Sequence, residues 1–233
     1  MILDKIKIYS QNIWKNNFLL NTIHKIHSLF DIIFIQELSW SIIWSILSSS
    51  SCEEEELVEV SNHLNWTMFF RNFSPANNFS QVISYINIHL SFMCFSFWNN
   101  VLNHKDILYI YFFNRSSTFF LINIYLDSSQ LALNYLKDTE VNINNVLIMT
   151  GDFNIRDCLW DPSYPFHFSY KDTLFKIADS FHVELSKPTE ILPTRYSDNT
   201  QDSNLVLDLV FLHPNSMEHN NHHIYPEWRL MSN

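Results

Sequence analysis

Apolar and polar residues alternate with period two across Lys5–Ser10, which predicts a half-buried strand near the start of the chain. The period then lengthens. After Asn16 or Asn17, either of which suits a helix cap, Leu19, Ile23, Ile26 and Phe30 recur on one helical face. Asp31–Ile35 is a short apolar run that reads as a buried strand delivering Gln36 and Glu37 at its C-terminal end. Ser48–Glu56, serines followed by glutamates, reads as a solvated loop. Strands are predicted at Trp66–Arg71, Val82–Leu90, Ile107–Phe113 and Thr118–Leu126, separated by turns containing Asn and Ser. A helix over Leu131–Ile143 precedes a buried strand, Val146–Thr150, that ends in Gly151, Asp152, Phe153 and Asn154. Asp172–Phe181 forms a second helix with Leu174, Phe175, Ile177, Ala178 and Phe181 inward, and Val206–Leu212 is a last strand with Asp208 embedded in it.

Helices scattered among many strands, several joined by short turns, predict an α+β sandwich: two sheets packed face to face with helices outside. No repeat or linker divides the chain, so residues 1–233 are expected to form a single domain. Nothing in the pattern indicates an oligomer.

Composition narrows the function more than the fold. A hydrophobic fraction of 47% against 16% charged residues excludes disorder. No apolar run approaches the roughly 18 residues of a membrane span, and Asp4, Lys5 and Lys7 stand where a signal peptide needs its apolar core. The expectation is no membrane partner and no secretion. Three cysteines, Cys52, Cys94 and Cys158, are odd in number and far apart, giving neither a disulfide framework nor a zinc spacing. The net charge of −10 excludes a broad basic face, so any hold on nucleic acid must be local, through a few bases and a metal. A single glycine in 233 residues leaves the turns to Asn, and that glycine is Gly151.

The candidate chemistry sits at strand ends. Asp152 and Asn154, two residues apart beyond a buried strand, either hold a water and donate to a phosphate oxygen or close an Asx turn. Glu37 is either a solvent-facing strand terminus or a ligand for Mg²⁺, which takes one or two carboxylates plus water and phosphate. Asn12 follows the first strand, Tyr125 brings a phenol to the end of another, and Asp208 is a charge flanked by apolar residues that needs a partner. Lys15 and Arg156 lie beside the same expected rim, as phosphate contacts or as ordinary surface charges.

In this order, the strand ends at Asn12, Gln36-Glu37 and Asn123 with Tyr125, then Gly151-Asp152-Phe153-Asn154 and the late Asp208, resemble the endonuclease/exonuclease/phosphatase superfamily of DNase I-like enzymes, from Lys5 to Asn233. Asp31–Glu37, Gly151–Asp157 followed by Trp160 and Asp161, and Pro193-Thr194-Arg195 look like the endonuclease domain of non-LTR (LINE-type) retrotransposons. The resemblance implies a four-layer α/β sandwich, two mainly antiparallel sheets flanked by helices, that hydrolyses a phosphodiester with Mg²⁺ or Mn²⁺. It implies Glu37 as the main metal ligand with Asn12 in the same shell, and Asp152 orienting or deprotonating the attacking water. Asn154 and Tyr125 would stabilise the phosphorane oxygens, and Asp208 matches the carboxylate that holds the family's histidine. The implied partner is DNA, nicked on one strand to leave a 3′-hydroxyl, and the implied compartment of a working retroelement endonuclease is the nucleus. Nothing in the chain resembles a reverse transcriptase.

One departure stands out. The family's terminal Ser-Asp-His motif is approached at Ser232, but Asn233 stands where its Asp belongs, so the histidine and final strand are expected to be missing by truncation. An inactive retroelement remnant, or a phosphatase or phosphodiesterase for a small or lipid phosphate, remain the alternative readings. Two structural expectations follow. Asn12, Glu37, Tyr125, Asp152, Asn154 and Asp208 should meet on one rim, and crowding should raise the pKa of at least one carboxyl.

Overall fold

The computed structural model of the protein describes residues 6–13, 29–37, 57–63, 65–71, 80–92, 94–96, 104–113, 118–139, 145–161, 164–166, 169–186 and 208–214. Strands β1 (Ile8–Asn12), β2 (Ile32–Gln36), β3 (Leu57–His63), β4 (Trp66–Arg71) and β5 (Val82–Asn87) form a first sheet in the order β1-β2-β5-β4-β3. Strands β6 (Cys94–Ser96), β7 (Ile107–Phe113), β8 (Thr118–Tyr125), β9 (Val146–Asp152), β10 (Glu184–Leu185) and β11 (Asp208–Leu212) form a second, in the order β10-β11-β9-β8-β7-β6. Each sheet is therefore drawn from one contiguous stretch of sequence. Each contains one parallel pair, β1 with β2 and β8 with β9, and is otherwise antiparallel.

The apolar runs are continuous because both faces of these strands are covered. On β7, Leu108, Ile110 and Phe112 join Ile32 and Phe34 of β2 and Phe69 of β4 in the core between the sheets. The alternate residues Ile107 and Tyr109 point the other way, with Ile122 and Ile124 of β8, onto helices α1 (Leu131–Asp138) and α2 (Ser169–Ser180). Ala132, Leu133 and Leu136 of α1 and Leu174, Ile177 and Ala178 of α2 supply the helical side of that second core. Burial of each large aliphatic or Phe side chain contributes about 1.5–3 kcal/mol, so these two cores carry the fold.

This is the α+β sandwich the pattern predicts, with boundary changes that have local causes. The first strand runs to Asn12, two residues past its expected end, because β1 pairs with β2 in register as far as Gln36. The strand expected over Val82–Leu90 stops at Asn87 and turns into a 3₁₀ segment, Ile88–Phe92, as the Asn87 side chain accepts the His89 N–H at 3.2 Å. Helix α1 ends at Asp138, short of Ile143, where the N–H and hydroxyl of Thr139 both close on the Tyr135 carbonyl. β3, β6 and β10 had no predicted counterpart. The helix expected after Asn16, the Ser48–Glu56 loop, Lys15 and the approach to Ser232 lie outside the described residues.

Candidate metal-phosphate site

Strand register builds the site. Across β8 and β9 Tyr125 lies opposite Asp152, and across β9 and β11 Asp208 lies opposite the same residue, so the three form one row on the second sheet. On the first sheet Asn12 pairs in register with Gln36, and Glu37 follows directly. Two hydrogen bonds stitch the rows together. The Asn12 Nδ2 donates to Asp152 Oδ2 at 2.5 Å, and the Tyr125 hydroxyl donates to Glu37 Oε1 at 2.6 Å.

A buried polar layer underlies these contacts. Gln36 and Asn123, both fully buried, meet between the sheets: Gln36 Nε2 donates to Asn123 Oδ1 at 2.6 Å and also reaches Ser10 Oγ at 3.2 Å. Asn123 Nδ2 in turn donates to the Ile83 carbonyl at 2.9 Å. Polar groups in an apolar core are costly unless hydrogen-bonded, so this crossbeam favours one relative placement of the two sheets.

The backbone around the site is bent where it must be. Gly151 sits at φ +148°, and a Cβ there would lie 1.8 Å from the Ile124 carbonyl oxygen. The one glycine of the chain thus occupies a position that admits no side chain. Asp152 Oδ1 accepts the Asn154 N–H at 2.8 Å, the Asx turn that the spacing allowed. That turn is itself the device that places Asn154, whose Nδ2 donates one hydrogen to the Leu126 carbonyl at 2.7 Å. Glu37 and Asn154 both adopt left-handed backbone, at φ 53° and 47°. Such conformations persist in non-glycine residues only where neighbours hold them, and here the Glu37 N–H is held by the Gln81 carbonyl at 2.8 Å.

Electrostatics follow from burial. The Tyr125 phenol is pushed well above the ordinary value of 10, first by burial, then by its hydrogen bond to Glu37 and the charges of Glu37, Asp152 and Asp106, so it stays a proton donor. Tyr9 is pushed up to about 12, by burial and then by the Asp208 charge, which places Asp208 close to β1 as well as to Asp152. A carboxyl raised above its ordinary range is Asp106, a residue outside the sequence-based set, and its cause is not the crowding of site carboxylates that the sequence led us to expect. Burial is its main cause, opposed by the Lys105 hydrogen bond and charge and by the Gln81 N–H. Asp106 immediately precedes the β7 run, and a carboxylate at the N-terminal end of a buried strand was the signal for it.

The sequence-predicted residues are therefore brought together in part by direct bonds and in part by register. Asn12, Glu37, Tyr125, Asp152 and Asn154 are linked by hydrogen bonds in two groups, and Asp208 adjoins them across β9 and β11. Arg156 follows two residues after Asn154 but is engaged locally, 3.4 Å from Asp161 Oδ2 and 4.4 Å above the Tyr164 ring centroid. Among the described residues no three His, Cys, Asp or Glu side chains close into a metal cage. Mg²⁺ does not need one: the Glu37 carboxylate and the Asn12 carboxamide, which stands in register with the residue before Glu37, offer hard oxygens of the kind that ion takes with water and phosphate completing its shell.

Known proteins share sequence similarity with part of the chain and resemble its fold. Residues 119–233 match the Endonuclease-reverse transcriptase family. The endonuclease domain of TRAS1, a telomere-specific non-LTR retrotransposon, superposes with a TM-score of 0.58 at 11% identity, covering 91% of this chain and 86% of that one. A humanized D. rerio TDP2 reaches a TM-score of 0.49 at 14% identity, covering 90% of this chain and 84% of that one. A β-hairpin deletion mutant of beta toxin from Staphylococcus aureus reaches 0.45 at 10% identity, covering 98% and 96%. No curated protein matches the sequence at a significant level. The TRAS1 likeness shows the fold, and the stretch similar to the Endonuclease-reverse transcriptase family takes in β8, from its second residue, with β9, β10 and β11.

Proposed function

We propose that the chain is a metal-dependent phosphodiester hydrolase acting on DNA, nicking one strand to leave a 3′-hydroxyl. The observation that carries this reading is the pair of hydrogen bonds, Asn12 to Asp152 and Tyr125 to Glu37, which joins four separated strand ends into one acidic, phenol-bearing centre. Glu37 and Asn12 are the residues to hold Mg²⁺ or Mn²⁺, and the ion, when bound, supplies Lewis-acid polarisation of the phosphate. Asp152 is clamped on both oxygens, by Asn12 and by the Asn154 N–H, so its carboxylate is fixed in orientation to position a water and take its proton. Asn154 keeps a second amide hydrogen for a phosphate oxygen, and the Tyr125 hydroxyl, kept protonated, is a second donor to the phosphorane oxygens once it turns from Glu37 to the substrate. Asp208 extends the acidic row and is placed to orient a protonated partner. Lys15 and Arg156 are assigned to phosphate contact, Arg156 by leaving its Asp161 pair when an anion arrives.

The test is conversion of supercoiled plasmid to the nicked form with Mg²⁺ or Mn²⁺, with chelator as control. Nicking that disappears in Glu37→Gln and Asp152→Asn supports the reading. A folded wild-type protein that binds the metal and leaves plasmid intact at high concentration favours the inactive-remnant reading instead. Parallel incubation with inositol phosphates separates a DNA nuclease from a small-phosphate phosphatase.

A further inference from the structure

A closed ring of hydrogen bonds surrounds the edge of the site, and its pivot is a residue with no assigned role. The Asp106 carbonyl accepts the Tyr125 N–H at 3.0 Å, and the Asp106 Oδ1 accepts the Gln81 N–H at 3.3 Å. The Gln81 carbonyl accepts the Glu37 N–H at 2.8 Å, and the Tyr125 hydroxyl returns to Glu37 Oε1 at 2.6 Å. Gln81 and Glu37 flank β5 and β2 of the first sheet, while Asp106 and Tyr125 flank β7 and β8 of the second, so the ring crosses from sheet to sheet twice. One crossing is the Tyr125–Glu37 contact; the other is the Asp106 carboxylate.

We propose that Asp106 is a positioning residue that fixes the metal-ligating Glu37 in its left-handed conformation and holds Tyr125 beside it. The inference rests on the proposed function for its catalytic meaning, but not for its geometry. Glu37 at φ 53° is strained, and its N–H is fastened to Gln81, whose own N–H is fastened to the Asp106 carboxylate. Asp106 is 1% exposed, and its charge is matched by Lys105 Nζ at 2.8 Å, so removing the carboxyl leaves Gln81 without its side-chain acceptor. The His104 Nδ1, which accepts the Asp106 N–H at 3.1 Å, fixes the same turn from the other side. A residue that merely stabilised the β6–β7 connection through its ion pair with Lys105 would have no bond to the first sheet.

The test compares Asp106→Ala, Asp106→Asn and Lys105→Met in the full chain. Amide hydrogen exchange reads the ring directly and needs neither metal nor turnover. In Asp106→Ala the Gln81 and Glu37 amides are expected to exchange about tenfold faster than in wild type, ahead of the β5 core amides, with Mn²⁺ affinity falling about tenfold. Asp106→Asn keeps an oxygen for Gln81 and should restore both readouts. Lys105→Met should lower the melting temperature while leaving Glu37 protection unchanged. Unaltered Glu37 protection in Asp106→Ala overturns the inference, as does a Lys105→Met variant that loosens Glu37 equally. Wild-type protein that fails to bind Mn²⁺ overturns the proposed function, and the exchange data then decide on the ring by themselves.

Discussion

Asp208 and Asp152 face each other directly across the antiparallel pairing of β11 with β9. Residues opposed in this way share a face of the sheet, and like charges so placed repel. Asp208→Asn should therefore raise the urea midpoint, by about 0.5 kcal/mol of unfolding free energy, while lowering any nicking rate. A variant both less stable and less active would mean that Asp208 is held by a cation or donor that outweighs its repulsion from Asp152.

Glu37→Gln preserves the side chain's volume and an acceptor for the Tyr125 hydroxyl. Stability should change little, whereas Mn²⁺ binding followed by calorimetry should be lost and nicking should fall about 100-fold or more. Equal metal affinity in wild type and variant would remove Glu37 from the metal's shell.

Asn123→Ala takes away the partner of Gln36 Nε2 in the middle of the sandwich, together with the bond to the Ile83 carbonyl. Stranding a buried donor and acceptor should lower unfolding free energy by about 2 kcal/mol, measured by denaturant titration. A neutral outcome would show that Ser10 and Gln36 satisfy each other without it.

Gly151→Ala forces a Cβ into the Ile124 carbonyl oxygen on the neighbouring strand. The parallel β8–β9 pairing has to open, at about 3 kcal/mol, and the yield of soluble folded protein should drop accordingly. Full stability in this variant would contradict the backbone path next to Asp152.

Alkaline stability should be limited by buried phenols. Tyr9 is raised to about 12 by burial and then by Asp208, and Tyr85, Tyr109 and Tyr125 are raised further, chiefly by burial. The unfolded chain releases these protons near pH 10, the folded chain later. Their contribution is thus intact below about pH 10 and is lost as pH climbs through each folded value, starting with Tyr9. Urea midpoints at pH 9 and pH 11 should differ in that direction, and Tyr9→Phe should reduce the difference.

The fold was legible where the pattern was long. β4 and β7 match their predicted bounds because runs such as Ile107–Phe113, apolar on both faces, have no competing helical period. β6 and β10, of three and two residues, are too short to show any period and exist through pairing with β7 and β11. At the candidate site, Glu37, Asp152 and Asn154 could be picked out because they stand at or just past the C-terminal ends of the apolar strands β2 and β9. Asp106 carried only the weak signal of a carboxylate just before an apolar strand, and its contacts appear only in the fold; Gln81 takes part through its backbone, which no side-chain pattern reveals.

The partition of the sandwich has a practical consequence. Since β1–β5 make one sheet and β6–β11 the other, a break near position 93 separates the chain into two pieces, each retaining its own sheet. One piece keeps Asn12 and Glu37; the other keeps Tyr125, Asp152, Asn154 and Asp208. The two ties that complete the centre join residues 140 and 88 positions apart, and both cross that break. The centre is thus a two-key lock, and fragment complementation, with metal capture as the signal, would measure how tightly one sheet recognises the other.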